Sequence, residues 1–212
     1  MKMTQDEIYR TRKDFFDKNA ENWCDRWYKD TVTGRYDKHA KDFERLFSFL
    51  PLKPGDRVLD VGCGTGVLVP FILERITTAG VLYELDFADN MIRINQSLHE
   101  ADNIRFIVAD AENAPLDEAS CDAVICFSCF PHFHDMEKAM VILSRILKPP
   151  GVFALSHFDS SEAINKHHES CHAVMHDLLP DKATMRALFR TAGLSIDMFT
   201  DEPGFYCIIA GK

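Results

Sequence analysis

The stretch Val58-Leu59-Asp60-Val61-Gly62-Cys63-Gly64-Thr65-Gly66-Val67-Leu68 constrains the fold more than any other part of the chain. A short apolar run ends in an acid, three glycines follow at alternate positions, and an apolar segment able to form a helix comes next. Pro54-Gly55-Asp56 punctuates the start. The pattern is that of a buried strand, a tight loop and a helix. Glycines let the backbone turn sharply and let a ligand lie against bare main chain. Such a loop implies a bound cofactor without naming it.

The rest of the chain extends this unit. Apolar runs at 58–61, 80–85, 104–108, 123–127 and 152–156 read as strands, with helical patterns at 68–76, 89–99 and 136–147 between them. Strands alternating with helices predict an α/β fold around a parallel sheet. Before this block, Thr4-x-x-Glu7 is a capping box that opens a helix to residue 19, and a second helix is expected over 36–50. After it, Asp159-x-x-Glu162 predicts a helix to residue 179 and Asp181 a further helix to 192. Two strands, 194–199 and 205–210, are joined through Asp201-Glu202-Pro203-Gly204 as a hairpin. Residues 1–50 then form a helical cap or lid. Residues 51–212 form the main domain, with a His-rich helical insertion over 157–180.

Composition narrows the partners. The 212 residues are 46% hydrophobic and 27% charged, enough for one well-cored domain with a small cap. A net charge of -9 argues against a nucleic-acid substrate. No apolar run approaches the ~18 residues of a membrane-spanning helix. The N-terminus has no apolar signal region and is acidic early, so a soluble, cytoplasmic protein is expected. Seven cysteines, an odd number without a framework spacing, read as reduced thiols.

The loop's ligand can be narrowed by elimination. A dinucleotide fingerprint needs glycine where Val67 stands, and a phosphate loop needs a terminal Gly-Lys-Ser/Thr that is absent. Asp60 would oppose a pyrophosphate but favour a cation. S-adenosylmethionine carries a sulfonium, an ammonium, a carboxylate, a ribose and an adenine, and no phosphate. Asp60 can hold its ammonium. The Gly62–Gly66 backbone can approach its methionine portion. Asp86 can take the ribose hydroxyls, and Asp110 can accept from the adenine amine. All three acids end parallel strands, where open α/β sheets bind ligands.

Four ordered segments carry a family resemblance. They are the loop itself, Glu84-Leu85-Asp86-Phe87-Ala88-Asp89-Asn90-Met91, Ala109-Asp110-Ala111-Glu112-Asn113-Ala114-Pro115-Leu116 and Ile146-Leu147-Lys148-Pro149-Pro150-Gly151. From about residue 57 to 156 the chain resembles the class I S-adenosylmethionine-dependent methyltransferases that act on small molecules. The resemblance implies a Rossmann-like seven-stranded, mostly parallel sheet with helices on both faces and a C-terminal antiparallel hairpin. It implies S-adenosylmethionine as donor and S-adenosylhomocysteine as product. The implied donor contacts are Asp60, Gly62, Cys63, Gly64, Gly66, Asp86, Phe87, Met91, Asp110, Ala111, Glu112 and Phe127, with Ser128 beside the last. Pro150 departs from the glycine usual in that turn.

The acceptor side must be read from what is unusual, because methyl transfer is an in-line displacement that needs a base only for a protonated nucleophile. Seven of nine histidines fall between residues 132 and 176. His132 and His134 follow the fourth strand and His157 ends the fifth. His168, His172 and His176 would share one face of a continuous helix. Three chemistries fit: a solvated polar face, a base or orienter in an acceptor pocket (His157 and His132 first, His168 next), or a metal site on the His-rich helix with Cys171 or Asp177. Cys126-x-x-Cys129 is a lone knuckle, with Cys126 expected in the core and Cys129 near the pocket. Trp23, Trp27 and Tyr28 could close over the donor, since aromatic faces attract cations. The Asp/Asn-Pro-Pro-aromatic motif of nucleobase amino methylation is absent; Ser128-Cys129-Phe130-Pro131-His132 stands in its place. A small-molecule acceptor is therefore expected. A quinone or lipid-like acceptor, a donor-binding metal-sensing module without turnover, and an NAD-linked dehydrogenase are the alternatives.

Overall fold

The computed structural model describes residues 3–212. Seven strands form one sheet: β1 Arg57–Val61, β2 Val81–Asp86, β3 Ile104–Val108, β4 Cys121–Phe127, β5 Leu147–His157, β6 Ser195–Glu202 and β7 Phe205–Gly211. Their order is β3-β2-β1-β4-β5-β7-β6. The first five run parallel, and β7 runs antiparallel to both β5 and β6. The sheet order changes direction at β1, between β2 and β4, and a ligand crevice opens at the carboxyl ends of strands around such a switch point.

The helices are α1 Gln5–Asn19, α2 Trp23–Trp27, α3 Ala40–Ser48, α4 Val69–Ile76, α5 Asp89–Leu98, α6 Met136–Ile146, α7 Ser161–Glu169 and α8 Lys182–Thr191. No helix among the described residues is long and apolar enough to cross a membrane.

Both faces of the sheet are covered, which is why its strands read as near-continuous apolar runs. Side-chain alternation divides them. Val124 and Cys126 of β4 pack with Met140, Leu143 and Phe189 on one face. Ala123, Ile125 and Phe127 pack with Phe43, Leu46, Phe47 and Ile72 on the other. A third, smaller cluster joins Phe16 and Ala20 to Ala88 and Met91 of the β2–α5 corner, with Val174 closing it. That cluster lays α1 across the strand ends.

Two expected helices are shorter than the sequence pattern suggests. The helix expected from residue 36 begins at Ala40. Asp30 Oδ1 accepts from the amides of Val32 and Thr33, and Gly34 at φ 71° donates its amide to the Asp30 carbonyl, so the chain turns there instead. The helix expected over 159–179 is capped by Ser160, one residue later than Asp159, and stops at Glu169. Asn165 clasps the returning chain: its Oδ1 accepts from Leu179 N at 2.8 Å and its Nδ2 donates to Leu179 O at 3.1 Å. The chain doubles back along α7, and residues 172–176 are turns. The stripe of His168, His172 and His176 therefore never forms; His168 is buried while His172 and His176 are exposed. Among the described residues no group of three or more His, Cys, Asp or Glu side chains is arranged to hold a metal ion. The metal reading, one of the three that the histidines offered, is therefore without support among the described residues.

Candidate active site

A cleft of about 820 Å³, counting its open mouth, lies at the carboxyl ends of β1, β2 and β4. The glycine loop forms its floor. Gly62, Gly64 and Gly66 all have positive φ, at 64°, 55° and 86°. At Gly62 the constraint is double, since a Cβ there would meet Cys129 Cβ at 2.4 Å. Gly62→Ala is expected to cost about 2–5 kcal/mol from backbone strain and overpacking together. Gly204, at φ 83° with nothing within 4 Å, is the control and should cost much less on the same substitution. Urea unfolding of the two variants separates crowding from φ strain.

Three acids surround the loop. Asp86 Oδ2 accepts from Gly64 N at 2.9 Å and its Oδ1 from Ala88 N at 2.8 Å. Burial nonetheless pushes its carboxyl up to about 6, against the pull of those amides. Asp60 stands beside Glu84 in the β1–β2 register. Burial, and then the Glu84 charge, raise Asp60 well above the usual carboxylate range. Asp60 Oδ2 and Glu84 Oε1 are buried without a hydrogen-bond partner among the described residues. Asn95 Nδ2 donates to Glu84 Oε2 at 2.6 Å, and Cys63 Sγ lies 3.5 Å from the same nitrogen. Burial and these carboxylates push the Cys63 thiol up, which leaves it inert.

Asp110 follows β3 and accepts from Tyr9 Oη at 2.8 Å. Phe87, Met91, Ala111, Glu112 and Phe127 also line the cleft, as do Trp23, Tyr28, Ser128 and Cys129. Cys126 is fully buried in the core. Trp27 packs on Trp23 and His167 rather than lining the cleft.

The three catalytic candidates separate. His132 lines the cleft together with His134. His157 and His168 are buried outside its wall. His157 pairs with Tyr206 across β5 and β7, its Nε2 has no partner, and burial lowers its imidazole to about 3. His168 Nδ1 bonds the Asp177 carbonyl, and burial followed by the nearby His132 lowers it to about 4. Neither lines the cleft.

Sequence reasoning missed what α1 contributes. Arg12 is buried; its Nε donates to Asp177 Oδ2 at 2.8 Å, its Nη2 to Oδ1, and its Nη1 to the His132 carbonyl at 2.7 Å. His132 Nδ1 lies 2.9 Å from Asp177 Oδ2. The signal was present as Arg12, Phe16 and Ala20, a four-residue spacing with one arginine in an otherwise apolar stripe.

Residues 59–155 match the family model described as a methyltransferase domain. Among curated relatives, a demethylmenaquinone methyltransferase of Staphylococcus epidermidis is 29% identical over 118 residues, 55% of this chain and 49% of that protein. A malonyl-acyl-carrier-protein O-methyltransferase of a Marinomonas species is 32% identical over 140 residues, 60% of this chain and 48% of that protein. The chain thus spans about half the length of these relatives. Among solved structures, a SAM-dependent methyltransferase from Aquifex aeolicus superposes with a TM-score of 0.65 at 17% identity, covering 99% of each chain. Over residues 59–155 the chain is thus similar to methyltransferase domains, and its seven-stranded fold is like that of the SAM-dependent methyltransferase from Aquifex aeolicus.

Proposed function

We propose that this chain transfers the methyl group of S-adenosylmethionine to a small acceptor seated beside His132 and His134. The observation that carries the reading is the orphaned, buried Asp60 Oδ2 on the wall of a glycine-floored cleft. A buried carboxylate without a partner is costly, and a cationic ligand supplies the missing counter-charge. Asp60 would hold the donor's ammonium and the Gly62–Gly66 backbone its methionine portion. Asp86 would take the ribose diol, and Asp110 with Ala111 and Glu112 the adenine edge. Phe87, Met91 and Phe127 would form apolar walls around it. The bound donor supplies an activated methyl group on sulfur; the protein aligns the acceptor with it and excludes water.

Phe16, Phe127 and Phe133 give the cleft an aromatic side. Together with the likeness to a demethylmenaquinone methyltransferase, they favour a quinol-like ring as a second acceptor class. Calorimetry should show S-adenosylhomocysteine binding and no binding of NAD; the opposite result overturns the donor assignment. Release of S-adenosylhomocysteine should then be measured across thiols, amines, phenols, quinols and carboxylates. Binding without release from any acceptor would instead identify a donor-binding module.

A further inference from the structure

We propose that His132 is the base that deprotonates a hydroxyl acceptor, and that Asp177 and Arg12 are the residues that position it. The inference rests on the methyl-transfer reading and adds to it the nucleophile class. Three segments far apart in sequence converge on one imidazole. Arg12 comes from α1, His132 from the turn after β4, and Asp177 from the doubled-back chain after α7. Arg12 and Asp177 are both buried, so the pair is not a solvated surface contact.

The geometry divides the work. Asp177 Oδ2 receives both Arg12 Nε and His132 Nδ1, at 2.8 and 2.9 Å. Burial alone would raise the Asp177 carboxyl, but the bonds from His132 and Arg12 outweigh it and hold Asp177 below the usual range. An ionised Asp177 accepts a hydrogen bond from Nδ1–H, which keeps the proton on Nδ1 and leaves Nε2 with its lone pair. Nε2 makes no hydrogen bond among the described residues, and His132 lines the cleft. Phe16 packs edge-on at 5.0 Å between centroids and His168 lies 4.9 Å away, so the ring cannot swing freely.

The charged and titratable neighbours are few. Arg12 and Asp177 compensate each other. His168 and His157 are both held neutral by burial, at about 4 and about 3. His168 bonds the Asp177 carbonyl and so fixes the segment that carries the carboxylate. An imidazolium forming at His132 would therefore bond directly to Asp177 Oδ2, a carboxylate that Arg12 holds in place from its other side.

In the step, the acceptor oxygen bonds to the methyl carbon as the carbon–sulfur bond breaks. The bonding pair returns to sulfur, which becomes a neutral thioether. His132 Nε2 takes the hydroxyl proton, and the imidazolium later releases it to water. A hydroxyl is the acceptor that needs this help, because it is neutral at working pH and carries no spare charge. Positioned bases of this kind contribute roughly 100- to 10,000-fold.

Two measurements test it. Nitrogen NMR of the full chain should find His132 as the Nδ1–H tautomer, and Asp177→Asn should abolish that preference. A mixture in the wild type, or no change in Asp177→Asn, overturns the positioning role. Turnover is compared on phenol, neutral at neutral pH, and pentafluorophenol, already ionised. His132→Gln should lose about 100-fold or more in kcat on phenol, and Asp177→Asn should lose about 10-fold or more. Both should lose far less on pentafluorophenol than on phenol while still binding S-adenosylhomocysteine. An equal loss on both phenols overturns the base, and release from neither by the wild type overturns the hydroxyl class. Failure of S-adenosylhomocysteine to bind the wild type is a separate outcome; it removes the methyl-transfer reading and the proposal with it.

Discussion

Replacing Asp86 by alanine is expected to weaken S-adenosylhomocysteine binding by about 100-fold or more, the loss of one or two charge-assisted hydrogen bonds. Two consequences combine. The ribose hydroxyls would lose the acceptor proposed for them, and Gly64 N loses the carboxylate oxygen that holds the glycine loop at 2.9 Å. Asp86→Asn separates them, since its amide oxygen can still accept one of the two backbone bonds. It should fall between alanine and the wild type. The wild type itself should lose affinity as pH falls through about 6, where the Asp86 carboxyl, raised by burial, takes up its proton. The ionised form is the better acceptor, so binding is strongest above that range. Titration calorimetry across pH reads both effects, and an unchanged dissociation constant in Asp86→Ala removes this residue from the site.

The glycine-floored cleft was legible because the acids on its wall are tied to strand ends by sequence alone. Asp60 lies within β1, Asp86 ends β2, and Asp110 stands two residues beyond β3, so finding the strands finds the acids. The glycine loop is local in the same way. The Arg12–Asp177–His132 side of the cleft was not legible, because its contacts are not local. Arg12 and Asp177 are 165 residues apart, and no periodicity links them. The histidine pattern misled for a related reason. Residues 159–179 carry a good helical pattern, but the Asn165 clasp on Leu179 and the Arg12 bond to Asp177 favour a reversal after Glu169. Tertiary bonds overrode local propensity there. At His157 the sequence showed a strand end at the right edge of the sheet; only the packing against Tyr206 shows that the ring turns away from the cleft.

The buried Glu84 should make the stability of the ligand-free protein fall with rising pH across a defined window. Its side chain is fully buried below the glycine loop, with Asn95 Nδ2 donating to Oε2 and Oε1 left unpartnered among the described residues. Burial raises its carboxyl from 4.5 to about 8, against the opposing bond from Asn95. Below the unfolded value both states hold the proton and nothing is lost. Between the two values the unfolded chain releases a proton that the native state retains, so native stability declines as pH rises. Above about 8 both states are ionised and the full loss persists. Glu84→Gln keeps an oxygen for Asn95 Nδ2 and supplies an amide for the unpartnered Asn95 Oδ1, while removing the titration. The variant should match the wild type near the lower end of the window and exceed it by on the order of a few kcal/mol at the upper end. Asp60 and Asp86 are raised in the same direction and both remain in the variant; because the Glu84 charge also raises Asp60, the difference between the two pH profiles reads Glu84 together with its coupling to Asp60. Urea midpoints measured at intervals through the window supply those profiles. Parallel curves would mean that Glu84 is ionised in the native state, with a counter-ion or water at Oε1. A variant curve that declines less steeply than the wild type means that the acid beneath the loop is held neutral in the ligand-free protein.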